Sequence, residues 1–453
     1  IWFLPIVFLL TFTIGHKQKR RQIGILMVSS YVFFWMASGW HMLLLLTSTL
    51  VDWTAGKKIN ESEDQQIRKR WLMGSLTINL GLLAIFKYLD FLIESWNWAS
   101  LRIDGAPEIE TFGLLLPVGI SFYTFQTMSY TIDIYRGKNK PYDDFLSFSC
   151  YAAFFPQLVA GPIVRSEHFR KEIENTLTPD PMRFRLGLTL IVYGLAKKLI
   201  IADNVAIHVN EIFVDGAPLD NLGLVWWGAI AFGIQIYCDF SAYTDIAIGS
   251  ALLFGIRLPE NFDSPYAATS PQDFWRRWHI SLSTWLRDYL YIPLGGSRNG
   301  PRVMLFALMM TMLLGGLWHG ASWNFVLWGL LHGLLLIGHR WLKKLQLVQT
   351  MFERLPKTAP VVGWIVTQYF IFMTWLVFRV EETSILIPSL KTYVGINAHW
   401  DALEMYDALP DIKFFTFVIA ILFFIGHFIS WKLGGLKHWI ANQNPLVWGL
   451  LIG

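Results

Sequence analysis

His319 lies inside one of the longest apolar runs of the 453-residue chain, in the stretch Leu314-Gly315-Gly316-Leu317-Trp318-His319-Gly320-Ala321-Ser322-Trp323-Asn324. An ionisable residue within an apolar span is a functional hypothesis by default. In such a setting desolvation disfavours the imidazolium, so the ring stays neutral and can accept a proton from an attacking hydroxyl. Ser322, Asn324 or backbone N–H groups freed at the glycines would orient the ring or support an oxyanion. A hydrogen-bonded histidine that only joins two helices accounts for the same residues.

A second segment with chemistry to offer is 271–302. Trp275, Trp278, Leu282, Trp285 and Tyr289 recur there at 3-4-3-4 spacing and form one aromatic stripe of a helix. Arg276, His279, Ser283 and Arg287 line another side. Such a helix lies in the cytoplasmic interface or dips among the spans, and an interfacial anchor with snorkelling arginines fits the pattern equally well. Asp239 and Asp245 interrupt a further apolar stretch. They read either as an ion or proton path or as polar groups that pack helices. His332 and His339 share a helix face, but about 220° of rotation separates His319 from His332, which argues against a metal site built from these histidines. Cys150 and Cys238 sit in separate apolar surroundings and have no metal-ligand or redox spacing. No Asp-x-Asp motif of a metal-dependent glycosyltransferase occurs.

The elements that must hold these residues are membrane helices. Apolar residues make up 54% of the chain and charged residues 15%, against ~25% charged in soluble domains. Aromatics reach 16%, with 22 Trp, the residue type of the water–lipid boundary. The net charge of +4 is spread over short loops, so no nucleic-acid face is expected. Apolar runs occupy 23–51, 71–92, 112–131, 145–161, 186–206, 224–255, 303–337, 361–380, 414–429 and 446 to the end. The predicted fold is all-α and polytopic, with roughly ten to twelve spans plus re-entrant and interfacial helices. As one helix the run 303–337 would extend about 50 Å, more than a hydrocarbon core, so it should break at Gly315, Gly316 and Gly320. Phe145–Gly161 and 223–255 are candidate broken or re-entrant segments. Ile1–Pro5 reads as a span already under way, with no cleavable signal peptide. The basic loops Lys17–Arg21, Lys57–Arg70, Arg165–Arg185 and Arg340–Lys357 should face the cytoplasm. The acidic or neutral loops Glu94–Glu110, His208–Asn221 and Glu381–Asp411 should face outward.

Several of these stretches resemble one family. Asp273–Gly296 (DFWRRWHISLSTWLRDYLYIPLGG) and Leu314–Trp323 (LGGLWHGASW) closely resemble the alginate O-acetyltransferase branch of the membrane-bound O-acyltransferases. Leu116–Tyr123, Tyr130–Gly137, Pro156–Pro162 and Tyr237–Asp245 are similar to the same branch. The likeness runs from about residue 1 to 380. It implies a single membrane domain over 1–453 built around a central funnel or tunnel, with 271–302 interfacial or re-entrant and 303–340 carrying the catalytic histidine. It further implies that His319 is the family's essential histidine and His279 its second characteristic position. Trp275, Arg276, Arg277, Ser283, Asp288, Trp318, Ser322, Trp323, Asn324 and Asp239 would then line the donor site or the tunnel.

The resemblance also implies an activity. A cytoplasmic thioester, acetyl-CoA or another acyl donor, would give its acetyl group to an extracytoplasmic polysaccharide hydroxyl or to an SGNH-type relay partner. No resident cofactor or metal is implied, and the setting is a bacterial cytoplasmic (inner) membrane. His319 would act as general base, with Arg276 and Arg277 meeting donor phosphates. The run Ile292–Gly296 departs from the D-alanyl teichoic-acid relatives and favours acetyl transfer. Gln126 and Thr127 depart from the best-known alginate enzymes, which leaves alginate, peptidoglycan and cellulose all open as acceptors. An ion- or proton-coupled transporter is the competing class. It should show inverted repeats, and the sequence has none.

Overall fold

The computed structural model describes residues 2–103, 106–158, 161–213, 219–409 and 413–452. Among these the chain is helical with no strand, and a single backbone bridge pairs Asn221 with His399. Val159 and Ala160 of the run Pro156–Pro162, and residues 214–218 of the outward loop, lie outside the described residues. The stretch read as one membrane domain divides into two compact units, 1–188 with 247–259, and 189–246 with 260–453.

In the first unit, α1 (Lys19–Ser38) and α2 (Met42–Glu61) meet at a 3-10 turn, Gly39–His41. Gly39 has φ +56°, a conformation glycine adopts without penalty. α3 (Gln65–Leu83) starts at Asp64, whose carboxylate accepts the Gln66 amide at 2.7 Å. α4 (Ile120–Tyr135) begins only after Gly119, at φ +71°, so the apolar run from Phe112 is not helical throughout. Buried polar groups tie α2, α3 and α4 together. Asp52 accepts from Ser75 at 2.5 Å and from Asn79 at 3.0 Å, and Ser48 donates to Asn79 at 2.5 Å. Lipid gives helices no hydrophobic reason to associate, so interhelical hydrogen bonds take a larger share of the work.

The stretch Phe145–Gly161 is broken, as its place in the charge pattern requires. Phe145–Ala153 and Phe155–Leu158 are separated at Phe154, ψ 110°. The freed Tyr151 carbonyl receives the Gln126 and Gln157 amides at 2.7 and 2.8 Å, and Ser30 accepts the Phe155 amide at 3.1 Å. Non-helical backbone at membrane depth survives only with such protein partners.

The second unit carries α5 (Leu222–Leu253, up to Ile246), α6 (Pro271–Arg277), α7 (Ile280–Leu286), α8 (Pro301–His319), α9 (Trp323–Leu342), α10 (Ala359–Arg379) and α11 (Lys413–Leu433). Pro271 and Pro301 sit in the first turns of α6 and α8, where a missing N–H costs nothing. The long apolar run does break, at Gly320–Ser322 between α8 and α9. Gly315 and Gly316 are not at the break but inside α8. A Cβ on Gly316 would land on the Phe325 carbonyl oxygen and within 3.1 Å of Gly329 Cα, so α8 and α9 touch backbone to backbone.

One expectation needs correction. The segment 223–255 is one unbroken 32-residue helix. Sixty-one per cent of its most apolar window is buried inside the protein, so bilayer thickness does not limit its length. The all-α, polytopic fold is as expected: among the described residues, seven helical segments are long and apolar enough to cross a membrane. Two of them run 43 and 36 residues: Lys19–Glu61 is two helices joined at the 3-10 turn Gly39–His41, and Gln65–Ser100 carries a π turn within it. The run after 145 is split, and the one after 186 carries Lys197 and Lys198.

Candidate active site

The aromatic stripe of 271–302 does not form one helix. α6 opens at Ser270, whose hydroxyl accepts the Asp273 amide at 3.1 Å, and closes at Trp278, which is extended. His279 follows at φ 42°, ψ 56°, and α7 then begins at Ile280. A left-handed conformation costs a non-glycine residue roughly 1–2 kcal/mol and persists only where the surroundings enforce it. Here a crossing strap does so. The Asp263 amide donates to the Arg277 carbonyl at 2.9 Å, and the Ile280 amide to the Asn261 carbonyl at 2.9 Å. The strap is itself pinned: the Tyr266 hydroxyl donates to the Gly233 carbonyl at 2.5 Å, and Gln368 of α10 donates to the Ala268 carbonyl at 2.9 Å.

The break turns His279 away from Arg276. Its ring is 0% exposed, set edge-on to Phe240 at 4.7 Å and to Trp318 at 5.9 Å. Asn261 Oδ1 accepts from the Ser281 amide at 3.0 Å and the Ser281 hydroxyl at 2.9 Å, and lies 3.2 Å from His279 Nδ1. The Ser281 amide can only donate, so the Asn261 atom there is the oxygen and His279 Nδ1 carries the hydrogen. The lone pair is therefore on Nε2. His279 lies outside the seven candidate spans; burial, then the neighbouring His319, hold its pKa well below the ordinary histidine value.

His319 is the last residue of α8 and, unlike His279, is partly exposed. Its ring meets Trp318 at 5.1 Å, Trp328 of α9 at 5.0 Å and Phe378 of α10 at 5.4 Å, all edge-to-face. Trp318 thus touches both histidines. The backbone approach at Gly316 and Gly329 is what lets Trp328 reach His319 from α9.

A cavity of about 750 Å³ opens beside this aromatic shell in the same unit. Trp275, Leu286, Leu308, Met312 and Leu336 form its apolar side, and Arg276, Arg287, Arg340, Lys343 and Lys344 its basic side. Arg287 is paired with Asp288 at 2.8 Å. Among the described residues no carboxylate pairs with Arg276, Arg340, Lys343 or Lys344. Neither His279 nor His319 lines the cavity, whereas Trp275, a lining residue, packs on Trp328 at 5.8 Å.

Of the residues expected from sequence, the structure brings His279, His319, Trp318 and Trp275 into one shell and puts Arg276 and Ser283 on the cavity wall. Others have different tasks. Arg277 is taken up by Asp273 at 3.0 Å and Asp263 at 3.5 Å, so it braces the strap and is no free phosphate ligand. Asp288 neutralises Arg287. Ser322 caps α9 by accepting the Asn324 amide at 3.3 Å. Asn324 donates its side-chain amide to the Val380 carbonyl and, at 3.0 Å, to the Glu381 carbonyl, and so ties α9 to the end of α10 rather than orienting His319. Trp323 is 64% exposed. Asp239 pairs with Lys198 at 2.7 Å, and Asp245 with Lys197 at 2.6 Å and Lys437 at 2.8 Å, so both carboxylates are neutralised. Sequence reasoning missed Asn261, Trp328 and Phe378. No spacing pointed to them, since they come from three separate elements.

Comparison with known proteins shows the family. The family model described as "MBOAT, membrane-bound O-acyltransferase family" matches residues 142–380. The chain is 36% identical over 448 residues to a Pseudomonas putida protein named "Probable alginate O-acetylase AlgI", covering 98% of this chain and 87% of that one. To an Azotobacter vinelandii protein of the same name it is 38% identical over 456 residues, covering 98% and 87%. To a "Peptidoglycan O-acetyltransferase" of Helicobacter pylori it is 35% identical over 427 residues, covering 87% and 78%. The family model over more than half of a multi-pass helical chain, with relatives of this identity and coverage, marks this protein as a member of the membrane-bound O-acyltransferase family.

Proposed function

We propose that this acyltransferase moves an acetyl group from a phosphate-bearing thioester, acetyl-CoA or a similar donor, towards a hydroxyl of an extracytoplasmic polysaccharide. The observation that carries the reading is the pairing of a partly exposed His319 with a cavity whose wall, at Trp275, belongs to the same aromatic shell. Arg276, Arg340, Lys343 and Lys344, which have no carboxylate partner among the described residues, suit the phosphates of the donor. Arg340, in the last turn of α9, and Lys343 and Lys344 just after it belong to the basic stretch Arg340–Lys357, whose charge favours the cytoplasm, where such donors are made.

In the reaction His319 takes the proton of the acceptor hydroxyl as its oxygen attacks the thioester carbonyl. The tetrahedral intermediate collapses, the C–S bond breaks, and the thiolate recovers the proton from the imidazolium, leaving an ester and a thiol. His279, its Nδ1–H held by Asn261, presents Nε2 within the shell. Packed aromatic walls limit competing hydrolysis by keeping water out.

The relatives named for alginate favour an alginate-like exopolysaccharide as acceptor, reached directly or through an extracytoplasmic SGNH-type partner, in a bacterial inner membrane. Peptidoglycan is the second reading, favoured by the Helicobacter pylori relative. Purified protein in nanodiscs, given labelled acetyl-CoA and each polymer with and without the partner, tests the proposal. Label in one polymer, lost in His319→Ala, supports it; equal label with His319→Ala contradicts it.

A further inference from the structure

His332 has no part in that mechanism, yet it is 0% exposed in the same aromatic shell. It stands on α9 with its ring edge-on to Trp328 at 4.5 Å and to Trp275 at 5.1 Å. The Trp275 indole Nε1 donates to His332 Nδ1 at 3.3 Å. An indole N–H only donates, so Nδ1 is the acceptor and the hydrogen of the neutral ring is on Nε2. His332 Nε2 is buried and has no hydrogen-bond partner among the described residues. Burying an unsatisfied N–H is unfavourable, and a phenylalanine would fill this apolar site without that cost. Among the described residues, the one polar use the ring makes is to hold the Trp275 indole.

Trp275 belongs to two surroundings. One side of it lines the basic cavity, and the other packs on Trp328, whose ring in turn meets His319 at 5.0 Å. We infer that His332 is a positioning residue that fixes the Trp275 indole as the partition between the donor cavity and His319. The inference rests on the donor and base assignment proposed above. With the indole held in one orientation, an acetyl group passes its edge and a longer acyl group is refused. With the indole released, the acyl carbon is less well placed and the size limit relaxes. Small errors in placing reactants are costly, up to ~100-fold per ångström.

The test is a double-mutant cycle on the nanodisc enzyme, with acetyl-CoA and butyryl-CoA as donors. His332→Phe keeps the volume and removes the acceptor, while Trp275→Phe keeps a ring and removes the donor. Each should lower kcat for acetyl transfer about tenfold, leave KM for acetyl-CoA within about twofold, and narrow the preference for acetyl over butyryl. The double variant should be no worse than either single one, because both remove the same hydrogen bond. His332→Gln, which retains an acceptor, should recover most of the rate and selectivity. Additive losses, a wild-type donor preference in both single variants, or no rescue by His332→Gln would overturn the inference. If His332→Phe fails to fold, Trp275→Phe with His332 intact decides alone: the wild-type rate and preference would overturn it. His319→Ala runs in parallel. If it is silent while the cycle shows no coupling, only this inference falls. If it is active, the donor and base assignment falls.

Discussion

Asn261 holds His279 and Ser281 with a single oxygen, 3.2 Å from the His279 ring and 3.0 Å from the Ser281 amide. That atom fixes both the tautomer of His279 and the left-handed turn that aims it inward. Asn261→Ala should leave the buried Ser281 donors unsatisfied, at a cost of about 1–3 kcal/mol. It should lower the transfer rate of the remaining folded enzyme by about tenfold or more. Thermal unfolding in detergent and turnover per folded molecule separate the two effects. A variant with full turnover would mean that the turn serves stability alone.

The basic side of the cavity should govern donor affinity. Arg340→Ala and the double variant Lys343→Ala/Lys344→Ala should raise KM for acetyl-CoA several-fold with little change in kcat. Added salt should weaken wild-type donor binding in the same direction, since exposed charges are screened beyond ~10 Å at 0.1 M. Arg277→Ala should behave differently, because that guanidinium is held by Asp273 and Asp263. It should lower stability and leave KM for the donor nearly unchanged, as donor titrations on the two classes of variant would show.

The contact between α8 and α9 tolerates no side chain at Gly316 or Gly329. A Cβ at Gly329 would fall on the Met312 carbonyl oxygen, and one at Gly316 on that of Phe325. Gly316→Ala and Gly329→Ala should each cost about 1–3 kcal/mol or more, seen as a lower Tm or loss of monodisperse protein. Gly338→Ala, on the same α9 with nothing within 4 Å of its added Cβ, should be harmless or slightly stabilising.

A pH effect is expected away from the membrane helices. His399 Nε2 lies 2.5 Å from Glu404, and Nδ1 lies 3.7 Å from Asp220. The Glu404 hydrogen bond raises the His399 pKa, and the same bond lowers that of Glu404. A raised histidine pKa means stability that is full below the unfolded value and lost as pH rises through the folded one. A lowered carboxylate pKa means stability lost as pH falls through the folded value. The bridge between 220–222 and 399–404 should therefore exchange amide hydrogens faster at pH 9 than at pH 6, after correction for intrinsic rates. His399→Ala should abolish the difference.

How far the sequence went follows from what each signal depends on. The break after His319 was legible because glycines and an overlong apolar run are local features. The break at His279 was not, because histidine is no breaker and the left-handed turn is enforced by a strap around Asn261 that is remote in sequence. The 3-4-3-4 stripe was real in composition but assumed one continuous helix. The continuous helix Leu222–Leu253 escaped for the opposite reason, since its length is set by burial in protein and not by lipid. Arg276 and Arg277 look alike in sequence; only the positions of Asp263 and Asp273 tell the braced guanidinium from the available one.

The decisive experiment is labelled acetyl transfer by purified wild type and His319→Ala, matched for folded protein by size exclusion and Tm. Transfer to a polysaccharide hydroxyl by the wild type, reduced to background in His319→Ala with donor binding retained, is what a base at the end of α8 requires. Wild-type transfer by His319→Ala would show that the proton leaves the hydroxyl by another route.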